Sequence, residues 1–593
     1  MKYLFSYLKK YRVESILAPL FKMLEAFFDL RVPLIVANII NTGINGVFAD
    51  EAARLPYILG QCGLLVLMAL IGLACSFTAQ YFAARAAIGT STQLRRHLMG
   101  HIQTLSFSEL DAIGNSTLIT RMTADTNQVQ NGVNMFLRLF LRSPFIVIGA
   151  MIAAFTIDTQ AAWVFVVAIP VLSVIVFGVM RLTSPLYKKV QQRLDAVTGA
   201  TRENLSGVRV VRAFGREQAE EERFARANGE LTAAQLKVGR IAALTNPLTY
   251  VVINLGVIAL LYVGGDKVVT GDLASGDVVA LLNYMSQILV ELVKLANLIV
   301  LLTRAYTSLG RCAAVLDTKT SMVYPEKAAQ ADSAEEAVRF DHVSLTYRGA
   351  GDESISDISF CALKGQTIGV IGGTGSGKST LVNLIPRFYD ATRGEVSLMG
   401  RPVADWPHEE LRDRVAVVMQ KAQLFKGTIR SNLLYGLASG EKTPDQVSDE
   451  FLWQCLDTAQ AAEFVRQKPG GLDEVVEQGG RNLSGGQKQR LTIARALVSE
   501  PEILILDDSA SALDYATDAA LRRALKELPA GTTTFIVSQR TSSIRHADQI
   551  LVMDDGLLVG CGRHEELLEQ CEVYREIHES QFRNESAKGG EKA

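Results

Sequence analysis

Six long apolar stretches in the first half of the chain constrain its fold more than any other feature. Each exceeds the roughly 20 residues that a helix needs to cross the hydrocarbon core of a bilayer. A mean hydropathy of +0.18, with 48% hydrophobic residues among 593, suits a chain that is half membrane-embedded and half soluble. The sequence therefore predicts six transmembrane helices. They cover, approximately, residues 14–40, 57–83, 135–157, 161–184, 243–265 and 277–303.

The links between these stretches alternate in length and in charge. Those after the first, third and fifth stretches are short and contain few cations. Those after the second and fourth run to about 50 residues and are rich in arginine and lysine. Loops rich in cations stay in the cytoplasm. We therefore expect both termini and the long loops, with Lys188 and Arg223, to face the cytoplasm, and Asp50 and Asp272 to face outward.

The two long loops contain few glycines or prolines, which favours helices. Two helices of about 25 residues would carry each membrane hairpin about 35–40 Å into the cytosol, at a rise of about 1.5 Å per residue. Residues 107–111 (Phe-Ser-Glu-Leu-Asp) and 203–207 (Glu-Asn-Leu-Ser-Gly) fall near the loop tips. A merely solvated helical hairpin is the alternative to a coupling role for these tips.

Several charged residues lie within the apolar stretches, where each costs roughly 2.5–3.5 kcal/mol at mid-membrane. Such residues face a cavity, pair with one another or sit near an interface. Glu291 and Lys294 are three positions apart on one helical face, so a simple pair is favoured over contact with a substrate. The others are Glu25, Asp29, Arg31, Arg138 and Arg142.

A phosphate-binding pattern, G-x-x-x-x-G-K-[ST], is matched in full by residues 372–379, Gly-Gly-Thr-Gly-Ser-Gly-Lys-Ser. The match follows a strand-like run, residues 368–371, and precedes an apolar helical run, which is the context that a P-loop requires. A glycine-rich turn before a helix is the alternative. The lysine, the hydroxyl and a later strand that ends in aspartates argue against it.

A second informative stretch covers residues 483–514. Its first part, Leu-Ser-Gly-Gly-Gln, places a hydroxyl and bare backbone amides at a helix start, which suits a terminal phosphate. The apolar run 503–506 is typical of a buried parallel strand. Asp507 and Asp508 follow at its carboxyl end, where ligands bind in open α/β sheets. We expect Asp507 to reach a magnesium ion and Asp508 to stand where a water-directing carboxylate belongs.

Taken in order, the P-loop, the Leu-Ser-Gly-Gly-Gln signature, the Asp-Asp strand end and Ser-Ala-Leu-Asp at residues 511–514 resemble the nucleotide-binding domain of an ABC transporter. The resemblance covers roughly residues 337–580. Tyr347 matches the aromatic residue that stacks on adenine, and Gln420 matches the glutamine that links nucleotide to the membrane domain. The long loops resemble the intracellular loops of B-type (type IV) ABC exporters, whose tip helices couple the two domains.

The resemblance implies a fold in two parts. Residues 1–310 would form a six-helix all-α transmembrane domain with long cytoplasmic helical extensions, and residues 311–336 a linker. Residues 337–580 would form an α/β P-loop ATPase domain, followed by a polar tail at residues 581–593.

The resemblance also assigns roles to individual residues. Lys378 would hold the β and γ phosphates of ATP, and Ser379, Gln420 and Asp507 the Mg²⁺ ion. Asp508, Gln539 and Gln420 are the expected catalytic positions. The expected nucleotide-binding residues are Tyr347, Gly372, Gly373, Thr374, Gly375, Ser376, Gly377, Lys378, Ser379, Thr380, Ser484, Gly485, Gly486 and Gln487.

Two positions depart from the family pattern. The residue after the magnesium aspartate is normally glutamate and here is Asp508, and the switch histidine is replaced by Gln539. Aspartate is one methylene shorter, and a misplacement near 1 Å can cost about 10²-fold in rate. Glutamine can donate a hydrogen bond to a phosphate but cannot carry a positive charge. The site on this chain is therefore expected to bind ATP and hydrolyse it poorly.

In this family two such domains stack head to tail, and each nucleotide lies between the P-loop of one and the signature of the other. A chain with one P-loop must then dimerise, and an intact signature beside a weakened hydrolytic site indicates a heterodimer with a second half-transporter. A slow homodimer is the alternative. An ATP-gated membrane regulator without net transport, and an importer, are rival functions.

Composition limits the partners. A net charge of −2 gives no reason to expect nucleic acid. The seven cysteines show no metal-type spacing and are expected to be reduced thiols. The expected partners are a second subunit, the lipid bilayer and an amphipathic small-molecule or lipid substrate, in a bacterial plasma membrane. Nothing in the sequence chooses the substrate.

Overall fold

The computed structural model describes residues 2–46, 53–326, 335–437, 444–509, 513–528 and 531–589. Asp50, residues 511–512 of the Ser-Ala-Leu-Asp motif and much of the expected linker therefore lie outside the described residues. The chain divides into two compact units. The first comprises Met1–Gln103 and Ser116–Thr318, and the second comprises Thr104–Asn115 and Lys319–Ala593.

The chain up to residue 316 is helical throughout its described part. Two short π-helical turns, Ile39–Ile44 and Arg121–Asp125, interrupt the α-helices. In chain order the helices are α1 (Lys2–Lys9), α2 (Arg12–Asn38), α3 (Arg54–Ile102), α4 (Phe107–Ile113), α5 (Asn115–Thr120), α6 (Thr126–Leu139), α7 (Arg142–Ile157), α8 (Thr159–Ala213), α9 (Glu217–Ala243), α10 (Thr245–Thr270) and α11 (Ser275–Leu316).

Within the described residues, five helical segments are long and apolar enough to cross a membrane. The first predicted span, 14–40, overlaps α2, but five charged residues, including Lys22 and Glu25, lie within it. The helical transmembrane domain is thus confirmed, while the count of six spans stays a prediction. The five segments are Arg54–Ile102, Asn115–Ile157, Thr159–Ala213, Glu217–Thr270 and Ser275–Leu316.

Two details differ from the sequence-based expectation. The predicted third span, 135–157, is divided between α6 and α7. Pro144 explains the break, because it lacks the N–H that would bond to the carbonyl of Phe140. Residues 203–207 do not form a loop tip but lie inside α8, and the chain turns later, at residues 214–216.

Small residues allow the membrane helices to pack closely. A Cβ atom added at Gly132 on α6 would lie 2.2 Å from the Cβ of Ala305 on α11, so this crossing tolerates no side chain. Alanines are buried at other crossings, as expected where van der Waals packing drives helix association in lipid. Ala79 and Ala83 on α3 and Ala150 on α7 are fully buried.

An ion cluster joins α2, α7 and α11 inside the helical unit. Glu291 is 3% exposed and accepts from Arg142 at 2.6 Å, from Ser143 at 2.7 Å and from Lys294 at 2.9 Å. Arg142 also donates to Asp29 at 3.0 Å. The expected pairing of Glu291 with Lys294 is therefore present, as one part of a larger network.

The second unit is built on a six-stranded, mostly parallel sheet of order β12-β11-β3-β10-β9-β6. Only the β11–β12 pair in it is antiparallel. A four-stranded antiparallel sheet of order β2-β1-β4-β5 packs beside it. The strands are β1 (Glu336–Leu345), β2 (Ile355–Leu363), β3 (Thr367–Gly372), β4 (Arg393–Leu398), β5 (Arg401–Pro402), β6 (Val415–Val418), β7 (Gly427–Thr428), β8 (Val475–Val476), β9 (Ile503–Asp507), β10 (Thr533–Val537), β11 (Gln549–Asp554) and β12 (Leu557–Gly562).

The central strands carry continuous apolar runs because helices and the second sheet cover both of their faces. All five residues of β9 are buried, as the sequence predicted for the strand before Asp508. The α/β fold class of this unit is thus confirmed. Its helices are α12 (Lys378–Leu384), α13 (His408–Arg414), α14 (Ile429–Leu434), α15 (Asp449–Thr458), α16 (Ala462–Arg466), α17 (Gly485–Val498), α18 (Tyr515–Lys526), α19 (Thr541–Ile544), α20 (His564–Gln570) and α21 (Glu572–Gly589).

The expected domain boundaries fall inside elements. Helix α11 continues past residue 310 to Leu316, and α21 runs across residue 580 to Gly589. Residues 104–115, from the first long loop, belong to the compact unit that contains the sheet. All seven cysteines are free thiols.

Candidate nucleotide site

The P-loop lies between β3 and α12, as its pattern predicted. Gly375 and Gly377 have φ values of 86° and 93°, in the left-handed region that favours glycine. At Gly377 a Cβ atom would also lie 2.7 Å from Ile355 and 2.9 Å from the carbonyl oxygen of Ser354. These two positions therefore require glycine if the loop is to curl over a phosphate.

Lys378 is 9% exposed and folds back over this loop. Its Nζ donates to the carbonyl oxygens of Gly372 at 3.0 Å and Gly373 at 2.5 Å. Burial lowers the pKa of Lys378, and the nearby carboxylates of Asp508 and Asp507 oppose that shift. The ammonium group is thus held where an anionic ligand would favour its charged form.

Ser379 and Asp507 meet at the foot of the loop, where the hydroxyl of Ser379 donates to Oδ1 of Asp507 at 3.0 Å. Burial raises the pKa of Asp507, and the hydrogen bond from Ser379 opposes this shift. Mg²⁺ prefers oxygen ligands and usually keeps several waters beside one or two carboxylates and the phosphates of its substrate. A serine hydroxyl next to a buried carboxylate fits such an ion.

Asp508 follows with a φ of 45°, and its backbone N–H donates to the carbonyl oxygen of Val537 on the neighbouring strand at 3.1 Å. Its Oδ2 accepts from Nε2 of Gln420 at 3.2 Å. Burial raises the pKa of Asp508, while the hydrogen bond from Gln420 and the charges of Lys378 and Arg540 lower it.

One cleft of about 340 Å³ collects most of the predicted residues. Gln539 lines it together with Asp508, so the two departures from the family pattern share one cavity with the P-loop. Glu353, Asp555 and Gly556 line it as well and were not predicted. The predicted residues on its lining are Thr374, Gly375, Gly377, Lys378, Ser379, Thr380, Gln420, Asp507, Asp508 and Gln539.

Tyr347 lies next to the P-loop helix rather than on the cleft lining. Its hydroxyl donates to Oγ1 of Thr380 at 3.1 Å, and its ring meets that of Tyr389 edge-on, with centroids 4.9 Å apart. The predicted adenine-stacking residue is therefore in contact with α12, the helix that follows the P-loop. Tyr389 was not predicted, although the Phe388-Tyr389 doublet after α12 is a recognisable aromatic signal.

The signature residues lie apart from this cleft. Ser484 begins α17 with a capping box, since its N–H donates to Oε1 of Gln487 at 3.0 Å and its Oγ accepts from the N–H of Gln487 at 3.3 Å. Ser484 and Gly485 are exposed, and none of residues 484–487 lines the cleft. The signature therefore forms a capped helix start that is not part of this chain's own cleft.

Helix α4 from the first long loop contacts the same unit close to Tyr347. The ring of Phe107 lies 4.6 Å from that of Phe388, and Oη of Tyr389 donates to Asp111 at 2.5 Å. Glu109, only 2% exposed, caps the helix by accepting from the N–H of Ser106 at 3.2 Å. The predicted loop tip at residues 107–111 is thus a short helix packed on the unit that contains the P-loop.

The C-terminal helix α21 supplies a residue that the sequence did not single out. Nε2 of Gln581 donates to the carbonyl oxygen of Gln539 at 2.7 Å, and Oε1 accepts from the N–H of Thr541 at 2.9 Å. No local pattern reveals this contact, because 42 positions separate Gln581 from Gln539.

Comparison with known proteins gives two family matches. A model of the ABC transporter transmembrane region matches residues 15–292, and the ABC transporter model matches residues 355–511. YfiB of Bacillus subtilis, an uncharacterized ABC transporter ATP-binding protein, is 36% identical over 584 residues, covering 98% of this chain and 99% of the relative. A Mycobacterium tuberculosis protein of the same description is 36% identical over 97% of each chain.

A more distant relative and a solved structure extend the comparison. The ATP-dependent lipid A-core flippase of Vibrio vulnificus is 30% identical over 584 residues, covering 98% of this chain and 97% of the flippase. The structure of a bacterial Atm1-family ABC exporter with ATP bound covers 96% of this chain, with a TM-score of 0.78 and 23% sequence identity. That likeness concerns the fold, which spans both units of the chain.

Proposed function

This chain belongs to the ABC exporters that fuse a transmembrane region to an ATP-binding domain, and we propose that it is one of two different subunits of such an exporter. Its own P-loop site binds ATP and hydrolyses it poorly. Its signature completes the working site on a second subunit. The chain is a multi-pass membrane protein, for which the bacterial inner membrane is the typical location.

The observation that carries this proposal is that Asp508 and Gln539 line the same cleft as the P-loop residues and Asp507. Phosphoryl transfer requires positioned phosphates, a magnesium ion and an oriented water, with little covalent work for the protein. Asp508 is one methylene shorter than the glutamate usual at its position. Gln539 can donate a hydrogen bond but cannot carry the positive charge of a histidine. Both hydrolytic positions are weakened, while the binding positions are intact.

The remaining residues have roles in binding. Lys378 would exchange its bonds to the loop carbonyls for bonds to the β and γ phosphates, whose negative charge would oppose the lowering of its pKa by burial. Ser379 and Asp507, with Gln420 nearby, would hold Mg²⁺, which when bound neutralises charge on the phosphates. Tyr347, beside Thr380, would meet the adenine.

The position of the signature supports dimerisation. An exposed, capped helix start with bare amides is suited to a terminal phosphate, and Ser484 does not line this chain's own cleft. In this family the phosphate comes from the nucleotide on the partner. Closure of two such domains on ATP would then drive alternating access, because binding alone supplies different affinities for the open and closed states.

An amphipathic or lipid-like molecule is the proposed substrate class. The relative from Vibrio vulnificus that is 30% identical is named a lipid A-core flippase, and the match covers nearly the whole of both chains. Molecules with one polar and one apolar part suit a membrane exporter because they can reach its helices from the bilayer. The choice between lipids and amphipathic small molecules is left to transport measurements.

Restoring the missing groups tests the degenerate site directly. In the two-subunit exporter whose partner has lost its hydrolytic carboxylate, Asp508→Glu combined with Gln539→His should raise the ATPase rate by about 10²-fold, the penalty that a misplaced group near 1 Å carries. Asp508→Asn combined with Gln539→His is the matched control and should stay slow. Brisk hydrolysis by the unmodified chain alone would contradict the proposal and support a homodimer with an aspartate base.

Transport separates the exporter from a membrane regulator that uses ATP binding only as a switch. ATP-dependent uptake of a fluorescent lipid or amphiphile into inside-out vesicles containing both subunits is the expected result. Vesicles that bind ATP and change conformation without any uptake would favour the regulator.

A further inference from the structure

We propose that Gln581, on the C-terminal helix α21, is a positioning residue that fixes the switch segment, residues 538–541, so that Gln539 faces the γ phosphate of bound ATP. The proposal rests on the role suggested above for Gln539 and adds a residue outside the nucleotide cleft. Gln581 is the first residue of the segment, 581–593, that the sequence analysis described only as a polar tail.

Both ends of one amide side chain are used on the switch segment. Nε2 of Gln581 donates to the carbonyl oxygen of Gln539 at 2.7 Å, and Oε1 accepts from the N–H and hydroxyl of Thr541 at 2.9 and 3.0 Å. A backbone N–H can only donate and a backbone carbonyl can only accept, so the amide has one workable orientation. Gln581 therefore bridges the residues on either side of Arg540.

The bridge replaces a missing helix cap. Helix α19 begins at Thr541, and its N-cap residue, Arg540, provides no side-chain hydrogen bond. The first N–H groups of a helix need partners from outside the helix. Gln581 supplies one of them from 40 positions away, and Nδ1 of His578, one helical turn earlier on α21, lies 3.3 Å from the hydroxyl of Thr541.

The helix that carries Gln581 is itself well anchored. Tyr574 is fully buried in a cluster that includes Ile371 of β3 and Ile544 of α19, and its hydroxyl lies 2.7 Å from Nδ1 of His564. Gln581 thus projects from a support tied to the strand that enters the P-loop. Rigid support of this kind is what holds a functional side chain in its productive geometry.

The geometry matters because the side chain of Gln539 is exposed in the cleft and has no charge with which to attract a phosphate. Its contribution to nucleotide binding depends on where its backbone is held. Since only ATP carries a γ phosphate, loss of the bridge should weaken the binding of ATP and spare that of ADP.

Equilibrium binding of ATPγS and of ADP, with Mg²⁺, to the full-length protein in lipid nanodiscs tests this. Gln581→Met should lower the affinity for ATPγS by about tenfold, as expected for loss of the hydrogen bond from Gln539 to the γ phosphate, and leave that for ADP unchanged. Gln581→Glu keeps the acceptor for Thr541 but sets a carboxylate oxygen against the carbonyl oxygen of Gln539, so it should also lower the affinity for ATPγS and spare that for ADP. Glu579→Met, an exposed change on the same helix, is the matched control and should bind both nucleotides normally.

A double-mutant cycle shows whether Gln581 acts through Gln539. If Gln539→Ala lowers ATPγS affinity and adding Gln581→Met has no further effect, the positioning role stands. Wild-type ATPγS affinity in both Gln581 variants, or an equal loss for ATPγS and ADP, would overturn it. Unchanged ATPγS affinity in Gln539→Ala would instead remove the role of Gln539, and the inference with it. Should Gln581→Met fail to fold, Gln581→Glu gives the same comparison.

Discussion

Asp508 has a backbone that cannot easily compensate for its short side chain. Its φ of 45° lies in a region that non-glycine residues seldom occupy, and its N–H is bonded to Val537 on the adjacent strand. Strained backbone of this kind persists only where the surrounding structure over-determines it. The carboxylate is therefore held about one methylene short of the place that a glutamate would reach. One of its oxygens, Oδ2, also accepts a hydrogen bond from Gln420.

Asp508→Ala should therefore change the steady-state ATPase rate of the two-subunit exporter by no more than a few fold. A residue already too short to orient water has little transition-state stabilisation left to lose. Lys378→Ala should reduce transport more, because it removes the cation that binds the phosphates. Paired measurements of ATPase and transport check this, with the equivalent change at the partner's hydrolytic carboxylate as the control that should abolish turnover. Loss of turnover in Asp508→Ala would contradict the degenerate site.

At the scale of elements, the short helix α4 connects the first long loop to Tyr347, the proposed adenine-stacking residue. Asp111 accepts from Tyr389, whose ring meets that of Tyr347, whose hydroxyl in turn donates to Thr380. A change at the adenine would reach α4 through two rings and one hydrogen bond. The contact lies within one compact unit, so this path needs no assumption about domain arrangement.

Tyr389→Phe should leave ATP affinity within about twofold of wild type and lower the amount of substrate transported per ATP hydrolysed. The ring against Tyr347 is kept, and only the hydroxyl that binds Asp111 is lost, a neutral-to-charged bond worth about 1.5–3 kcal/mol. Replacing residues 109–111 with glycines should uncouple more completely, because glycine removes the helix itself. Tyr324→Phe, which also removes a bonded hydroxyl from this unit, is the control. Normal coupling in both Tyr389→Phe and the glycine variant would show that α4 is not the coupling element.

The ion cluster on α2, α7 and α11 is a second property of elements. Glu291→Ala should destabilise the protein by about 3–5 kcal/mol, because it leaves the buried Arg142 without its best partner. Lys294→Ala should cost far less, since Lys294 is 43% exposed while Arg142 and Ser143 still satisfy Glu291. Thermal unfolding in detergent compares the two. Equal shifts in Tm would mean that the Arg142–Glu291 pair adds nothing beyond a surface contact.

Local features were predictable from sequence where one short segment dictates them. The P-loop, the buried strand ending in Asp507 and Asp508, and the helix start at Ser484 were each placed correctly because spacing and residue type fix them. Features that join distant segments were not. The break at Phe140 was missed although Pro144 marks it, and the bridge from Gln581 depends on folding that brings α21 against the switch segment.

At the scale of the whole molecule, the distribution of cations predicts the orientation of the chain in the membrane. In a cysteine-free background, a cysteine at Asp272, in the exposed turn between α10 and α11, should react with an impermeant maleimide in intact cells. A cysteine at Lys188 or Arg223, on the exposed surfaces of α8 and α9, should react only after permeabilisation. Labelling of the Lys188 position in intact cells would reverse the orientation.

The proposed division of labour between two subunits can be tested only in the assembled molecule. Ser484→Ala combined with Gly486→Asp should abolish most of the ATPase activity of the heterodimer, because the signature of this chain would close the competent site on the partner. The new carboxylate would stand where a γ phosphate is bound, and like charges repel. Binding of ATP at this chain's own P-loop should persist, since residues 484–487 do not line its cleft.

The equivalent change in the partner's signature should leave hydrolysis largely intact and weaken retention of ATP on this chain. Brief turnover with radiolabelled ATP, followed by separation of the chains, distinguishes the two variants by where ATP and ADP remain. If this chain's variant hydrolysed ATP at the wild-type rate, its signature would not serve a working site, and the asymmetric exporter would have to be abandoned.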